Sequence, residues 1–142
     1  MTALSPRLAA IVDALPLKPG MRVLEIGGAP GAAAKAVCER IAPCGHILVI
    51  DRSAKGIALT EANAAAEISA GLLSVRQVAA EAFALQPGEP LFDLAFAVRV
   101  GALDGRHPKA GELARLRIRA ALHPGAPLFI DGGAPLLQIP LD

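Results

Sequence analysis

The chain contains neither tryptophan nor tyrosine, and phenylalanine occurs only four times, so thermal-shift work on it needs an external dye. It lacks an excess of either charge. Lys and Arg number 14 against 13 Asp and Glu, a formal net charge of +1, which gives no electrostatic case for a nucleic-acid or anionic-membrane partner. A long apolar run is missing too. Hydrophobic residues make up 54%, but alanine supplies much of that, and charges, glycine or proline interrupt every run well short of the ~18 residues of a spanning helix. A soluble chain is expected. The start, Met1-Thr2-Ala3-Leu4-Ser5-Pro6-Arg7, has no basic segment followed by an apolar block, so no secretory leader is expected. Cysteine is scarce: Cys38 and Cys44 have no His or Cys at metal spacing and read as a helix-face thiol and a loop thiol. The expected address is cytoplasmic, with no metal site. Repeats, charge blocks and low-complexity linkers are absent, and 142 residues are enough for one domain with a buried core.

What the sequence does have is a glycine-rich turn. Arg22-Val23-Leu24-Glu25-Ile26-Gly27-Gly28-Ala29-Pro30-Gly31-Ala32-Ala33-Ala34-Lys35 runs from an apolar stretch through an acid and glycines into an alanine-rich segment. That order predicts strand, tight turn and helix, with backbone N–H groups and a positive dipole end suited to a polar or anionic ligand. Glycine accepts φ > 0 and lets backbone approach a ligand without a Cβ between them.

Elsewhere strands and helices alternate. Ser5-Pro6 caps a helix over residues 5–15, with Leu8, Ile11, Val12 and Leu15 at helical spacing. A strand over 21–26 precedes a helix over 31–41 whose inner face is Ala33, Val37 and Ile41. A second strand, 46–50, ends at Asp51. Ser53 caps a helix reaching about Ser69, with Gly71 as its stop. Strands over 72–78 and 92–100 follow, separated by a loop, and a polar loop then leads to a helix over 110–122 that turns Leu113, Leu116 and Ala120 inward. A fifth strand, 128–131, precedes an irregular tail. This alternation predicts an α/β sheet with right-handed crossovers.

Ligands of such sheets lie beyond the carboxyl ends of the strands. Glu25, Asp51 and Glu81 stand at three such ends. Asp51 is placed to accept ribose hydroxyls, at the roughly 20-residue spacing from the turn that a nucleotide-binding unit uses. The cofactor is then a dinucleotide or S-adenosylmethionine. Gly27-Gly28-Ala29-Pro30-Gly31-Ala32 matches G-x-G-x-x-G only with alanine at two of the three positions. Glu25-Ile26-Gly27-Gly28-Ala29-Pro30-Gly31, in contrast, resembles the E-x-G-x-G-x-G motif of class I S-adenosylmethionine-dependent methyltransferases. Val49-Ile50-Asp51-Arg52-Ser53 resembles that family's second strand and Phe92-Asp93-Leu94-Ala95-Phe96 its fourth. Leu122-His123-Pro124-Gly125-Ala126-Pro127-Leu128 is similar to its turn into strand five.

The resemblance implies a Rossmann-like three-layer sandwich, a mainly parallel sheet of about five strands in the order 3-2-1-4-5 with helices on both faces. Because family members usually continue beyond strand five, it also implies a chain lacking the C-terminal antiparallel strand pair. Glu25 would contact the amino group of the cofactor's methionine part, and Gly27, Gly28, Ala29 and Gly31 would shape the turn beneath it. Asp51 would bind the ribose, Arg52 would flank the adenine, and Ala80 and Glu81 would lie by its edge. Ala97, Val98 and Arg99 would border the methyl group. Two positions depart from the family: Ala29 stands where it has its middle glycine, and Ala79 where an acid often follows strand three.

Methyl transfer needs positioning more than acid–base chemistry. His107 is the candidate base with Asp104 as its orienter, and Arg99 either pairs with an internal acid or binds an anionic substrate. The absence of an [N/D]-P-P-[Y/F] motif after strand four counts against adenine and amide methylation. His46 and His123, at strand entrances, are read as structural. The expected function is methyl transfer from S-adenosylmethionine to a small molecule, in a homodimer that covers the edge left at the C-terminal end. The alternatives are a catalytically degenerate cofactor-binding or interaction module, and a nicotinamide-dependent oxidoreductase.

Overall fold

A computed structural model describes residues 4–141; Met1 to Ala3, the first residues of the expected leaderless start, lie outside the described residues. Six strands form one sheet: β1 (Arg22–Ile26), β2 (His46–Asp51), β3 (Leu73–Gln77), β4 (Leu94–Ala97), β5 (Leu128–Asp131) and β6 (Leu136–Ile139). Their order is β3-β2-β1-β4-β5-β6, parallel throughout except between β5 and β6. The helices are α1 (Pro6–Ala14), α2 (Ala32–Ile41), α3 (Ala54–Asn63), α4 (Ala65–Ser69) and α5 (Pro108–Ala121), with a 3-10 turn at Ala80–Ala82.

The central strands are buried on both faces, as parallel strands between two helical layers must be. Val23, Ile47, Val49, Leu94 and Phe96 pack with Val12, Ala33, Val37 and Ile41 on the side of α1 and α2. Leu24, Ile26, Leu48, Ile50 and Ala95 pack with Phe83, Ala114 and Ile118 on the side of α5. The alternation of β1 therefore turns Glu25 toward the α1–α2 side. The local signals act as the sequence predicts: the Ser5 hydroxyl accepts from the Leu8 N–H and the Ser53 hydroxyl from the Gly56 N–H, each capping its helix. The helix after Ser53 breaks at Ala64 into α3 and α4 before Gly71, which takes φ 79°.

Two expectations are corrected. The tail is not irregular: Leu136–Ile139 pairs antiparallel with β5, from Leu128 opposite Ile139 to Asp131 opposite Leu136. The predicted lack of the C-terminal antiparallel pair does not hold. Pro135 and Pro140 flank this strand rather than interrupt it, where a missing N–H costs the ladder nothing.

The inward face of α5 is also different. Gly111, Ala114, Ile118 and Ala121 are its buried residues, while Leu113 and Leu116 are 51% and 56% exposed. A Cβ on Gly111 would collide with the carbonyl of Ala102, so the helix approaches its neighbours more closely than a leucine stripe permits, and the leucines turn outward.

This orientation is testable by urea denaturation. Ile118→Ala should cost about 2–5 kcal/mol through transfer and cavity terms, whereas Leu116→Ala should stay within roughly 0.5 kcal/mol of the parent.

Candidate functional site

The turn after β1 is built on the end of β2. The Gly27 and Gly28 N–H groups both donate to the Ile50 carbonyl, at 2.7 and 3.4 Å, and the Gly31 N–H donates to the Gly28 carbonyl at 2.9 Å. The Ala29 N–H donates to Asp51 Oδ2 at 3.3 Å. The donors of the turn are thus used internally. The free donors lie one step on, in the first turn of α2, whose N-cap Gly31 takes φ 100° and offers no side chain. Side chains are excluded from the turn at its first two positions. A Cβ on Gly27 would come within 2.7 Å of Val100 Cγ2, and one on Gly28 within 2.5 Å of the Glu25 carboxyl carbon. The methyl of Ala29 lies beside α3, where a Cβ on Gly56 would come within 2.8 Å of it; Gly56 leaves the room that Ala29 occupies.

Glu25 is 3% exposed and its Oε1 is buried without a hydrogen-bond partner. Burial, with a smaller contribution from the Asp51 charge, pushes its carboxyl up to about 8. Asp51 is half-buried; besides the Ala29 N–H it accepts from the Ser53 N–H at 2.9 Å through Oδ1, which leaves each oxygen a further acceptor site.

Two clefts open at the carboxyl ends of the strands. The first, about 490 Å³, is lined by Gly27, Asp51, Arg52, Ala79, Ala80 and Glu81 at one end and by Arg99, Gly101, Arg106 and His107 at the other. The second, about 440 Å³, lies between α1 and α2 and is lined by Arg7, Glu25, Gly27, Gly28, Ala32 and Arg99 among others. Gly27 and Arg99 belong to both. Each cleft falls in the size range of small-ligand sites, ~300–1,000 Å³.

Solved structures share this architecture. A S-adenosylmethionine-dependent methyltransferase from Aquifex aeolicus superposes with a TM-score of 0.70 at 16% identity, over 87% of this chain and 62% of that one. Phosphoethanolamine N-methyltransferase 2 of Haemonchus contortus, in complex with S-adenosyl-L-methionine, gives 0.68 at 24% identity, over 87% and 27%. The [4+2]-cyclase SpnF gives 0.68 at 22%, over 87% and 42%. The fold is that of the class I methyltransferases. The chain spans less than two-thirds of the length of each of these proteins. No protein-family model matches it, and neither does any curated protein sequence.

Within this methyltransferase fold the remaining candidates separate. Ala97 is buried on the α5 side and lines neither cleft, whereas Arg99 lines both. Asp104 does not orient His107: its carboxylate accepts from Arg106 Nε at 2.9 and 3.0 Å, and that hydrogen bond holds it below the usual carboxylate range. His107 is at the N-terminus of α5, against Gly101, where a Cβ would come within 2.8 Å of its ring. His46 bridges the Gly71 carbonyl and the Ser74 hydroxyl, at 2.8 Å each. His123 lies 3.6 Å from Asp93 at the far ends of the strands. Among the described residues no cluster of His, Cys, Asp and Glu is arranged to hold a metal, and no helix is long and apolar enough to cross a membrane.

Sequence reasoning missed Asp131 and Arg7. Asp131 ends β5, as Asp51 ends β2, so the same strand-end logic would have found it. Arg7 carries no local signal; only the packing of α1 brings it there, 2.5 Å from Asp131 Oδ2.

The buried acid makes stability pH-dependent. The folded protein keeps the Glu25 proton that the unfolded chain releases above its ordinary value of 4.5. This stabilisation is fully present below that value and is lost as pH rises toward about 8. Urea midpoints should therefore fall across that window by an amount equivalent to several kcal/mol, on the order of 1.4 kcal/mol per pH unit, and Glu25→Gln should flatten the slope.

Proposed function

We propose that this chain binds S-adenosylmethionine across the two clefts and transfers its methyl group to a small-molecule acceptor. The observation that carries this reading is Glu25: a buried carboxyl with an unpartnered oxygen, on the wall of a cleft beneath a glycine turn, is a costly arrangement that a positively charged donor relieves. The methionine ammonium is such a donor. Asp51, with acceptor capacity to spare on the first cleft, suits the ribose hydroxyls. Arg52, Ala80 and Glu81 lie where an adenine continuing from that ribose would be flanked. The N–H groups opening α2 suit the methionine carboxylate. Gly27, Gly28 and Gly31 keep the floor of the site free of side chains, and the Ala29 methyl, accommodated by Gly56, leaves the turn intact.

The cofactor supplies an electrophilic methyl on a sulfonium. The residues of this chain hold and orient, which is the larger part of catalysis for an in-line displacement. His107, exposed on the first cleft and hydrogen-bonded to no carboxylate among the described residues, is the group placed to take a proton from an acceptor that has one to lose. Its role does not extend to Asp104, which Arg106 engages.

Isothermal calorimetry tests the reading. S-adenosylmethionine should bind, and Asp51→Ala should weaken it by roughly 10–100-fold, the loss of a hydrogen-bonded charge. Because the ammonium favours ionised Glu25, binding near neutral pH should release a proton, and affinity should rise as pH approaches about 8. No heat at millimolar ligand would sink the proposal. Cofactor binding without turnover on any acceptor would favour the degenerate module.

A homodimer through the C-terminal end is part of the same reading, together with a cytoplasmic address, in keeping with free Cys38 and Cys44. Its support is the outer edge of β6, which has no neighbouring strand among the described residues, and Leu137 there, 49% exposed. Light scattering at high micromolar concentration should give twice the monomer mass. A clean monomer would refute the dimer and leave the cofactor reading untouched.

A further inference from the structure

Arg99 is the one non-glycine residue among those described with a positive φ, 58°, a conformation that costs an L residue energy and recurs at functional sites. Asp131 holds it there. One carboxylate oxygen accepts the Arg99 backbone N–H at 2.9 Å and the other accepts the Arg7 guanidinium at 2.5 Å. Asp131 is thereby engaged on both oxygens, and no acid pairs with the Arg99 guanidinium among the described residues. Arg106, across the first cleft, is already neutralised by Asp104. The strand-end cluster of Arg7, Arg99 and Arg106 against Asp104 and Asp131 is left with one uncompensated positive charge, and Arg99 carries it.

Its position gives that charge a meaning. Arg99 and Gly27 are where the two clefts meet. In the cofactor reading, on which this inference rests, the adenosine belongs to the cleft of Asp51 and the methionine part to the cleft of Glu25. The sulfonium joins the two and falls at the junction. Two positive charges at one junction repel unless an anion lies between them. An exposed, unpaired guanidinium presents five donors in a planar fork matched to a carboxylate.

We propose that Arg99 binds the acid group of the methyl acceptor, and that the acceptor is a small carboxylic acid. The single uncompensated charge fits a monoanion better than a doubly charged phosphate ester. Asp51 and Glu81 at the opposite end of the first cleft repel the same group, so the acid end of the acceptor is directed to the junction, beside the methyl to be moved. The strained backbone at residue 99 is what brings the guanidinium there, and Asp131 is what maintains it.

Calorimetry with S-adenosylhomocysteine separates this inference from the reading beneath it. The thioether is first titrated alone. The saturated protein is then titrated with acetate, benzoate and phenylacetate, each against its primary amide, and with phenyl phosphate against benzoate. At least one acid should bind roughly tenfold or more tighter than its amide. Arg99→Gln should erase that preference at saturating S-adenosylhomocysteine, and an unchanged circular-dichroism spectrum and melting temperature should verify that the variant is folded. Equal binding of acids and amides, a preference that survives Arg99→Gln, tighter binding of the phosphate, or no acid binding up to roughly 10 mM each overturns the proposal while the cofactor reading stands. Absence of heat from S-adenosylhomocysteine itself brings down both.

Discussion

The site depends on one close approach, that of the Gly28 backbone to the Glu25 carboxyl. Glu25 sits in β1 with the apolar Val49 and Phe96 as its register partners on either side. Its side chain occupies the space that any side chain at residue 28 would need. The chain can fold back over the acid only because that space is not contested. Once it does, the N–H groups of Gly27 and Gly28 reach the Ile50 carbonyl and the Ala29 N–H reaches Asp51. The same fold-back therefore ties the ends of β1 and β2 together and fixes two acids on adjacent walls.

A second pair of strand ends is organised by a different acid. Asp131 holds the turn that leaves β4 through the Arg99 backbone and holds α1 through Arg7. Acids thus outnumber cations where β1, β2 and β3 end, with Glu25, Asp51 and Glu81 beside Arg52, and cations outnumber acids where β4 and β5 end, with Arg7, Arg99 and Arg106 against Asp104 and Asp131. The clefts run across this polarity, and Arg99 and Gly27 mark the boundary. A ligand with one positive and one negative region is better suited to such a seam than a uniformly charged one.

The shared fold does not by itself decide the chemistry. A [4+2]-cyclase matches this chain about as well as the methyltransferases do, a case of one architecture serving unlike reactions. The weight falls on particular groups: an orphaned buried oxygen on Glu25, an uncommitted guanidinium on Arg99, an exposed His107. The outward leucines of α5 belong to the same economy of space. Gly111 and Ala114 bring the helix close enough to shape the first cleft near Gly101 and His107, and Leu113 and Leu116 are displaced to solvent.

Much of this was legible in the sequence, because it rests on local chemistry. The strand–turn–helix at Gly27 to Gly31, the caps at Ser5 and Ser53, and Glu25 and Asp51 as strand-end acids all follow from residues close together in the chain, whereas the strand order up to β5 came only with the family resemblance. Period and turn chemistry act at that range. What only the tertiary structure decided involves distance in sequence. The pairing of β6 with β5 was hidden because flanking prolines read as irregular structure in a short segment, whereas a neighbouring strand supplies the ladder. The inner face of α5 was misread because hydrophobicity points to leucine, while close packing selects glycine and alanine. The Asp104–Arg106 pair displaced the expected Asp104–His107 pair because the guanidinium, two residues on, folds back onto the acid. The meeting of Arg7, Arg99 and Asp131 joins three separate elements, and no pattern within any one of them encodes it.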